Sequence, residues 1–147
     1  MHISSFPINF NNYSISLWFY NGNKWGWSRI FDIGQTSGGG TTMLCGFNTT
    51  NSLGFHSYVG GTNTTITTTT ITPNTWYYLT ITFNNGIYSL YLNGIKINSN
   101  SGGSAPPSIT TPTNIFIGRS NWDVDPYMLG AQTDIRFYNK VLSDADI

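Results

Sequence analysis

Two asparagine–glycine turn signals, Asn84-Asn85-Gly86 and Asn93-Gly94, divide the stretch from Asn74 to Ser99 into three short runs. In the first run, Trp76 to Phe83, the residues are aromatic, β-branched or threonine apart from Leu79. Every second one from Tyr77 (Leu79, Ile81, Phe83) is apolar. That two-residue period belongs to a strand with one buried face. Asn and Gly tolerate the positive φ that tight hairpin turns demand. The second run, Ile87 to Leu92, therefore folds back with Tyr88, Leu90 and Leu92 on one side, and Asn93-Gly94 turns the chain again into Ile95-Lys96-Ile97. The stretch reads as a three-stranded antiparallel meander whose apolar face needs a second layer to cover it.

The rest of the chain supplies that layer. Tyr13 to Tyr20 alternates Tyr13, Ile15, Leu17 and Phe19 with Ser14, Ser16 and Trp18. Arg29 to Ile33, Met43 to Phe47, Leu53 to Val59, Thr113 to Gly118 and Ala131 to Tyr138 are further strand patterns, and His2 to Phe6 is a short one stopped by Pro7. The threonine run Thr62 to Thr72 reads as an exposed or edge strand, because threonine is β-branched and suits an open sheet margin. Ser99 to Pro112, rich in Ser, Gly and Pro, is a surface connection. Ser143 is placed to cap a first helical turn at the chain end. Ten or eleven short strands without a long helical pattern predict an all-β fold, a two-sheet antiparallel sandwich.

Composition narrows the function. Charged residues are 8% of the 147, with six basic against six acidic, whereas about 25% is usual. Such a chain lacks the basic face that nucleic acid requires. No run is long and apolar enough to span a bilayer, so membrane insertion is not expected. All six acids are aspartate. Aromatics reach 16%, more than a core of this size calls for, which points to rings left outside for contact. The single cysteine, Cys45, excludes an internal disulfide and reads as a small core residue. His56 has no Cys or acid at metal-ligand spacing and reads as an ordinary strand histidine.

Carbohydrate recognition needs a flat ring to stack on a sugar face and amides or carboxylates to hold its hydroxyls. Asn121, Trp122, Asp123, Asp125 and Tyr127 bring both together in one loop, as do Trp25 and Trp27 beside Asn21 and Asn23. The competing reading is that these rings merely close the ends of the sandwich. Catalysis is not expected: neither His2 nor His56 has an identifiable partner for a Ser or Cys nucleophile. Asp123 and Asp125, a close acid pair, sit in a loop without a third residue to organise them.

The order of YSISLWFY (Tyr13 to Tyr20), IFDIG (Ile30 to Gly34), the Trp-led hairpins ending in LYLNGIKI, IFIGR (Ile115 to Arg119) and DIRFYNKVLSDADI (Asp134 to Ile147) resembles the laminin-G-like, concanavalin A-like jelly rolls of the lectin and glucanase superfamily. The resemblance covers nearly the whole chain. It implies one jelly-roll domain over residues 1–147. Family members carry another strand before the first motif and a longer element after the last, so it also implies excision from a longer chain. Ligands would be taken on the concave sheet or at rim loops. Members serve as non-catalytic carbohydrate-binding or adhesion modules, or as protein-interaction domains of surface, virion or phage assemblies. The partner would thus be a glycan or a neighbouring protein, and the setting extracellular, cell-surface or virion-surface. Glucanase relatives use glutamates in an E-x-D-x-x-E strand, which this glutamate-free chain cannot form. They also bind a structural Ca2+ through an Asp of the final strand, for which Asp134 is the candidate here. It stands one position out of register, so pairing with Arg136 is the alternative, and Asp123-x-Asp125 is a second candidate for calcium.

Overall fold

The computed structural model describes residues 11–22, 26–34, 41–48, 52–59, 62–101 and 114–147. Ten strands form: β1 (Asn12–Asn21), β2 (Arg29–Gly34), β3 (Thr42–Phe47), β4 (Ser52–Val59), β5 (Thr62–Thr70), β6 (Thr75–Asn84), β7 (Ile87–Leu92), β8 (Ile95–Asn100), β9 (Asn114–Ile117) and β10 (Gly130–Tyr138). They pair antiparallel into two five-stranded sheets, ordered β10-β1-β6-β7-β8 and β5-β4-β3-β2-β9. The all-β sandwich expected from the sequence is what the chain adopts. The expected strand at His2 to Phe6 lies outside the described residues.

Alternation decides which side chains meet between the layers. Tyr13, Ile15, Leu17, Phe19, Leu79, Ile81, Phe83, Tyr88 and Leu90 of the first sheet face Phe31, Ile33, Met43, Cys45, Phe47, Phe55, Ile66 and Ile115 of the second, all essentially inaccessible. Each such side chain contributes roughly 1.5–3 kcal/mol through removal from water. Rings interlock across the gap, with Phe55 against Tyr88 at 4.9 Å and Phe19 against Phe47 at 6.1 Å between centroids. The buried tyrosines also satisfy their hydroxyls across it. Tyr88 Oη donates to Ser57 Oγ at 3.1 Å, and Tyr13 Oη reaches Met43 Sδ at 3.3 Å.

The meander β6-β7-β8 turns where Asn85-Gly86 and Asn93-Gly94 adopt left-handed backbone, with φ of 45° and 90°, then 53° and 80°. The threonine run is an edge strand, but only one of its faces is open, because Thr64, Ile66 and Thr68 are buried. Ser143 and Asp146 bond reciprocally. Ser143 Oγ donates to the Asp146 carboxylate at 2.8 Å and the Asp146 N–H donates to the Ser143 carbonyl at 2.9 Å, which closes a single turn.

The segment after β10 covers part of the outer face of the first sheet. Ser14 Oγ donates to the Lys140 carbonyl at 3.0 Å and accepts from the Leu142 N–H at 2.9 Å, so the segment after β10 lies across Ser14 and its neighbours. Tyr91 Oη, donating to Asp144 at 2.7 Å, fastens the same segment farther along. On the outer face of the second sheet, the loop from Gly118 to Met128 folds back over β2 and β3. It closes through Gly118 N–H to the Ile30 carbonyl at 2.9 Å and Met128 N–H to the Gly118 carbonyl at 3.0 Å.

Candidate functional site

A regular β2 would turn Arg29 toward the core, because Phe31 and Ile33 face inward and alternate residues share a face. Instead the register with β3 slips between Arg29 and Phe31. Ile30 takes the extra inward place, and Arg29 is re-aimed outward, as a bulge permits. Opposite it stands Gly46, where a Cβ would run into the Ser28 carbonyl and the Arg29 backbone. The missing side chain is what lets the arginine stem cross the sheet.

Arg29 is buried and held by carboxylates on two sides. Its Nη2 donates to Asp125 Oδ2 at 2.9 Å, its Nε lies 3.6 Å from Asp32 Oδ2, and its Nη1 donates to the Trp27 carbonyl at 2.7 Å. Asp32 in turn anchors the overlying loop. Its Oδ1 accepts from Asn121 Nδ2 at 2.7 Å and Thr42 Oγ1 at 2.8 Å, while Oδ2 accepts from the Asn121 N–H at 3.0 Å. Ser120 Oγ donates to Asp125 Oδ2 at 2.8 Å and accepts from the Trp122 N–H at 3.0 Å. One buried aspartate on β2 thereby fixes where Trp122 and Asp125 stand.

Two indoles flank the guanidinium, Trp27 at 5.2 Å and Trp122 at 5.6 Å from centroid to Arg29 Cζ. A cation beside aromatic faces is favourable and rigidifies all three groups. Trp27 has φ of 66°, following Gly26 at 68°. A bulky side chain in the left-handed region is strained, and Trp27 stays there because its N–H donates to the Phe47 carbonyl at 2.8 Å. Leu44, Tyr58, Trp27, Trp122, Arg29 and Asp125 line an open cleft of about 330 Å³. Behind it, His56 Nε2 lies 2.9 Å from Asn48 Oδ1 and Nδ1 lies 3.0 Å from Thr65 Oγ1. Burial, then the charge of Arg29, lowers the His56 pKa to about 4, so the ring is neutral at pH 7. Two carboxylates, Asp125 in the cleft lining and Asp32 buried beneath it, therefore stand against the one cation, Arg29. Asp125 lines the cleft, and both hydrogen bonds to its carboxylate go to Oδ2, which leaves Oδ1 without one among the described residues.

Of the residues singled out in the sequence, Trp27, Trp122 and Asp125 come together. Asn121 is close but buried, and its amide is spent on Asp32, so it braces the loop. Asp123 points to solvent and pairs with Arg119 at 3.0 Å, outside the cleft lining. Tyr127 is 67% exposed and also outside that lining. Trp25 lies outside the described residues. Asp134 takes the alternative considered for it. At φ of 52°, in a slip of the β1–β10 register, its Oδ1 accepts from Arg136 Nε at 2.7 Å. A carboxylate already neutralised by a guanidinium does not fit the oxygen-rich donor set that calcium takes. Among the described residues no group of three or more His, Cys, Asp or Glu could hold a metal ion.

The sequence pattern of the Laminin_G_3 family, described as the concanavalin A-like lectin/glucanases superfamily, matches residues 1–147. The chain belongs to this superfamily. Concanavalin A-like structures similar to it include domain 4 of AbnA, a GH43 extracellular arabinanase from Geobacillus stearothermophilus, in complex with arabinotriose. That similarity has TM-score 0.73 and 18% identity, covering 92% of this chain and 64% of that one. A second is the CBM40 of the Ruminococcus gnavus IT-sialidase bound to α2,3-sialyllactose, with TM-score 0.76, 16% identity and coverage of 92% and 79%. A third is the botulinum neurotoxin serotype D binding domain, with TM-score 0.70 and 19% identity, where 99% of this chain spans 38% of that one. No curated protein sequence gives a significant match. Among the described residues no helix is long and apolar enough to cross a membrane.

Proposed function

We propose that this concanavalin A-like domain is a non-catalytic carbohydrate-binding module of an extracellular or surface protein, and that it takes its glycan in the cleft between Trp27 and Trp122. The observation that carries this reading is the unengaged Asp125 Oδ1 in a cleft whose two indoles flank the arginine that holds it. Rings offer stacking faces, and a carboxylate oxygen accepts from sugar hydroxyls. The arabinotriose and sialyllactose complexes of the similar structures support the ligand class. The charge count narrows it. A sialylated glycan would bring its carboxylate against Asp125, with Arg29 already committed to Asp125 and Asp32, so the cleft favours neutral or amino sugars. Hydrolysis needs two carboxyl groups flanking the scissile bond, and Asp32 is sealed beneath Asn121 and Thr42.

A glycan array spanning neutral, amino and sialylated oligosaccharides tests this. Binding should appear among the first two classes and fall at least tenfold in Trp122→Ala and in Asp125→Asn. The reading is abandoned if the array is silent, or if Trp122→Ala binds as the parent does.

A second reading, packing against a neighbouring protein, is favoured by β8. It is an edge strand with Ile95 67% exposed and Ile97 beside it, and open apolar edges invite partners. An Ile95→Lys variant that loses a partner contact without losing glycan binding would support it.

A further inference from the structure

The outer face of β1 and β6, on the sheet opposite the cleft, is divided by residue type. Where the C-terminal segment covers it, the cross-strand pairs are small: Ser14 with Thr82 and Ser16 with Thr80. Farther along, where only Ile147 of that segment comes near, they are aromatic: Trp18 with Tyr78 and Tyr20 with Trp76. Centroids lie 5.2 Å apart in the first aromatic pair and 5.6 Å in the second. Trp18 is 40% exposed and Trp76 45%. Leaving two indoles in water forgoes the burial that rings of this size normally gain.

Trp18, Trp76, Tyr78, Asn93, Gly94 and Ile147 line a groove of about 420 Å³ there, and no charged side chain is among them. The polar atoms at its rim are mostly donors left open. Asn93 uses Oδ1 to accept from the Tyr78 N–H at 2.9 Å and its own N–H to donate to the Tyr78 carbonyl at 2.8 Å. This double bond to the strand fixes the side chain and leaves Nδ2 without a partner among the described residues. The indole N–H groups of Trp18 and Trp76 and the Tyr78 hydroxyl are likewise unengaged among them.

A purely apolar protein surface would leave these donors unsatisfied on docking, which weakens such a contact. The groove lining offers an ionic ligand no charged side chain. A neutral sugar chain meets both demands, since its C–H faces stack on rings while its hydroxyls accept from indole and amide N–H groups. We infer that the Trp18–Tyr78 and Tyr20–Trp76 pairs form a second site, for neutral carbohydrate chains, on the sheet opposite the cleft. With one site on each outer face, a single domain holds two chains at once.

The test titrates cellohexaose, xylohexaose and arabinohexaose into the full chain and into Trp122→Ala, which removes the cleft ring and leaves this face untouched. Calorimetry gives the affinity and stoichiometry. At least one of the three should still bind Trp122→Ala. That residual binding should weaken about tenfold in Trp122→Ala/Trp76→Ala, as loss of a stacking ring predicts, and about threefold in Trp122→Ala/Tyr78→Phe, which keeps the ring and the fold. Far-ultraviolet circular dichroism confirms that each variant is folded. The inference is overturned if Trp122→Ala binds none of the three, or if Trp76→Ala and Tyr78→Phe leave its binding unchanged. It is also overturned if sedimentation shows a dimer that Trp76→Ala dissolves, which would give the face to a second copy. Failure of the cleft proposal looks different: sugar binding by the parent would then respond to Trp76→Ala and not to Trp122→Ala.

Discussion

At the scale of single residues, Asp32 does more than any other side chain of the cleft. It is buried, accepts from Thr42 and Asn121, and lies beside Arg29. Asp32→Ala would strip those donors of their acceptor and leave Arg29 with Asp125 alone. We expect a loss of about 3 kcal/mol in urea unfolding, together with a change in tryptophan emission as the 118–128 loop comes off β2. His56 gives a pH signature. Its folded pKa near 4 lies below the unfolded value of about 6.5, so the unfolded chain takes up the proton first as pH falls. The stability that neutral His56 contributes is complete above about pH 6.5 and is lost between there and about pH 4. The charge acting on it is that of Arg29. Urea midpoints measured across that window should drop more steeply for the parent than for His56→Gln. Trp122 and Asp125 were legible in the sequence because a ring and a carboxylate in one loop already suggest sugar chemistry. Arg29, Leu44 and Tyr58 were not, because they reach the cleft from three separate strands.

At the scale of elements, alternation made the strands readable and register slips made parts of them unreadable. The β6-β7-β8 meander followed directly from Asn85-Gly86 and Asn93-Gly94, whose backbones take the left-handed form those residues tolerate. The slip in β2 that turns Arg29 outward leaves no mark in the sequence, since Arg29-Ile30-Phe31 reads as an ordinary strand start. The slip opposite Leu17 in β10 is similar: it puts Asp134 at positive φ beside Arg136. That pairing bears on calcium. With its carboxylate engaged, Asp134 should give the domain no dependence on the ion, and a melting scan with excess chelator should match one with millimolar calcium. A melting temperature that rises with calcium would mean that a carboxylate site, at Asp134 or at Asp123 and Asp125, takes the metal and stabilises the fold by its binding free energy.

At the scale of the whole molecule, the two-layer architecture was visible because inward residues recur at every second position in strand after strand. Which strands are neighbours was not, since β1 lies between β6 and β10, partners far apart along the chain. Loop closure over such separations is what makes sandwiches of this kind slow to fold. The cleft inherits the same non-local character, joining β2, β3 and β4 to the loop before β10.

The β1–β10 pairing has a mechanical consequence. Ser14 stands opposite Tyr138 and bonds to Lys140, so among the described strands the start of the first, β1, lies beside the end of the last, β10. Tension applied beyond Ile147 would first lift the segment after β10 off Ser14 and Tyr91, and only then load the rungs between β1 and β10, one after another as a zip opens. Anchored between a surface and a grip, this domain should yield at low force, and it would do so by peeling away the strand that carries Trp18 and Tyr20.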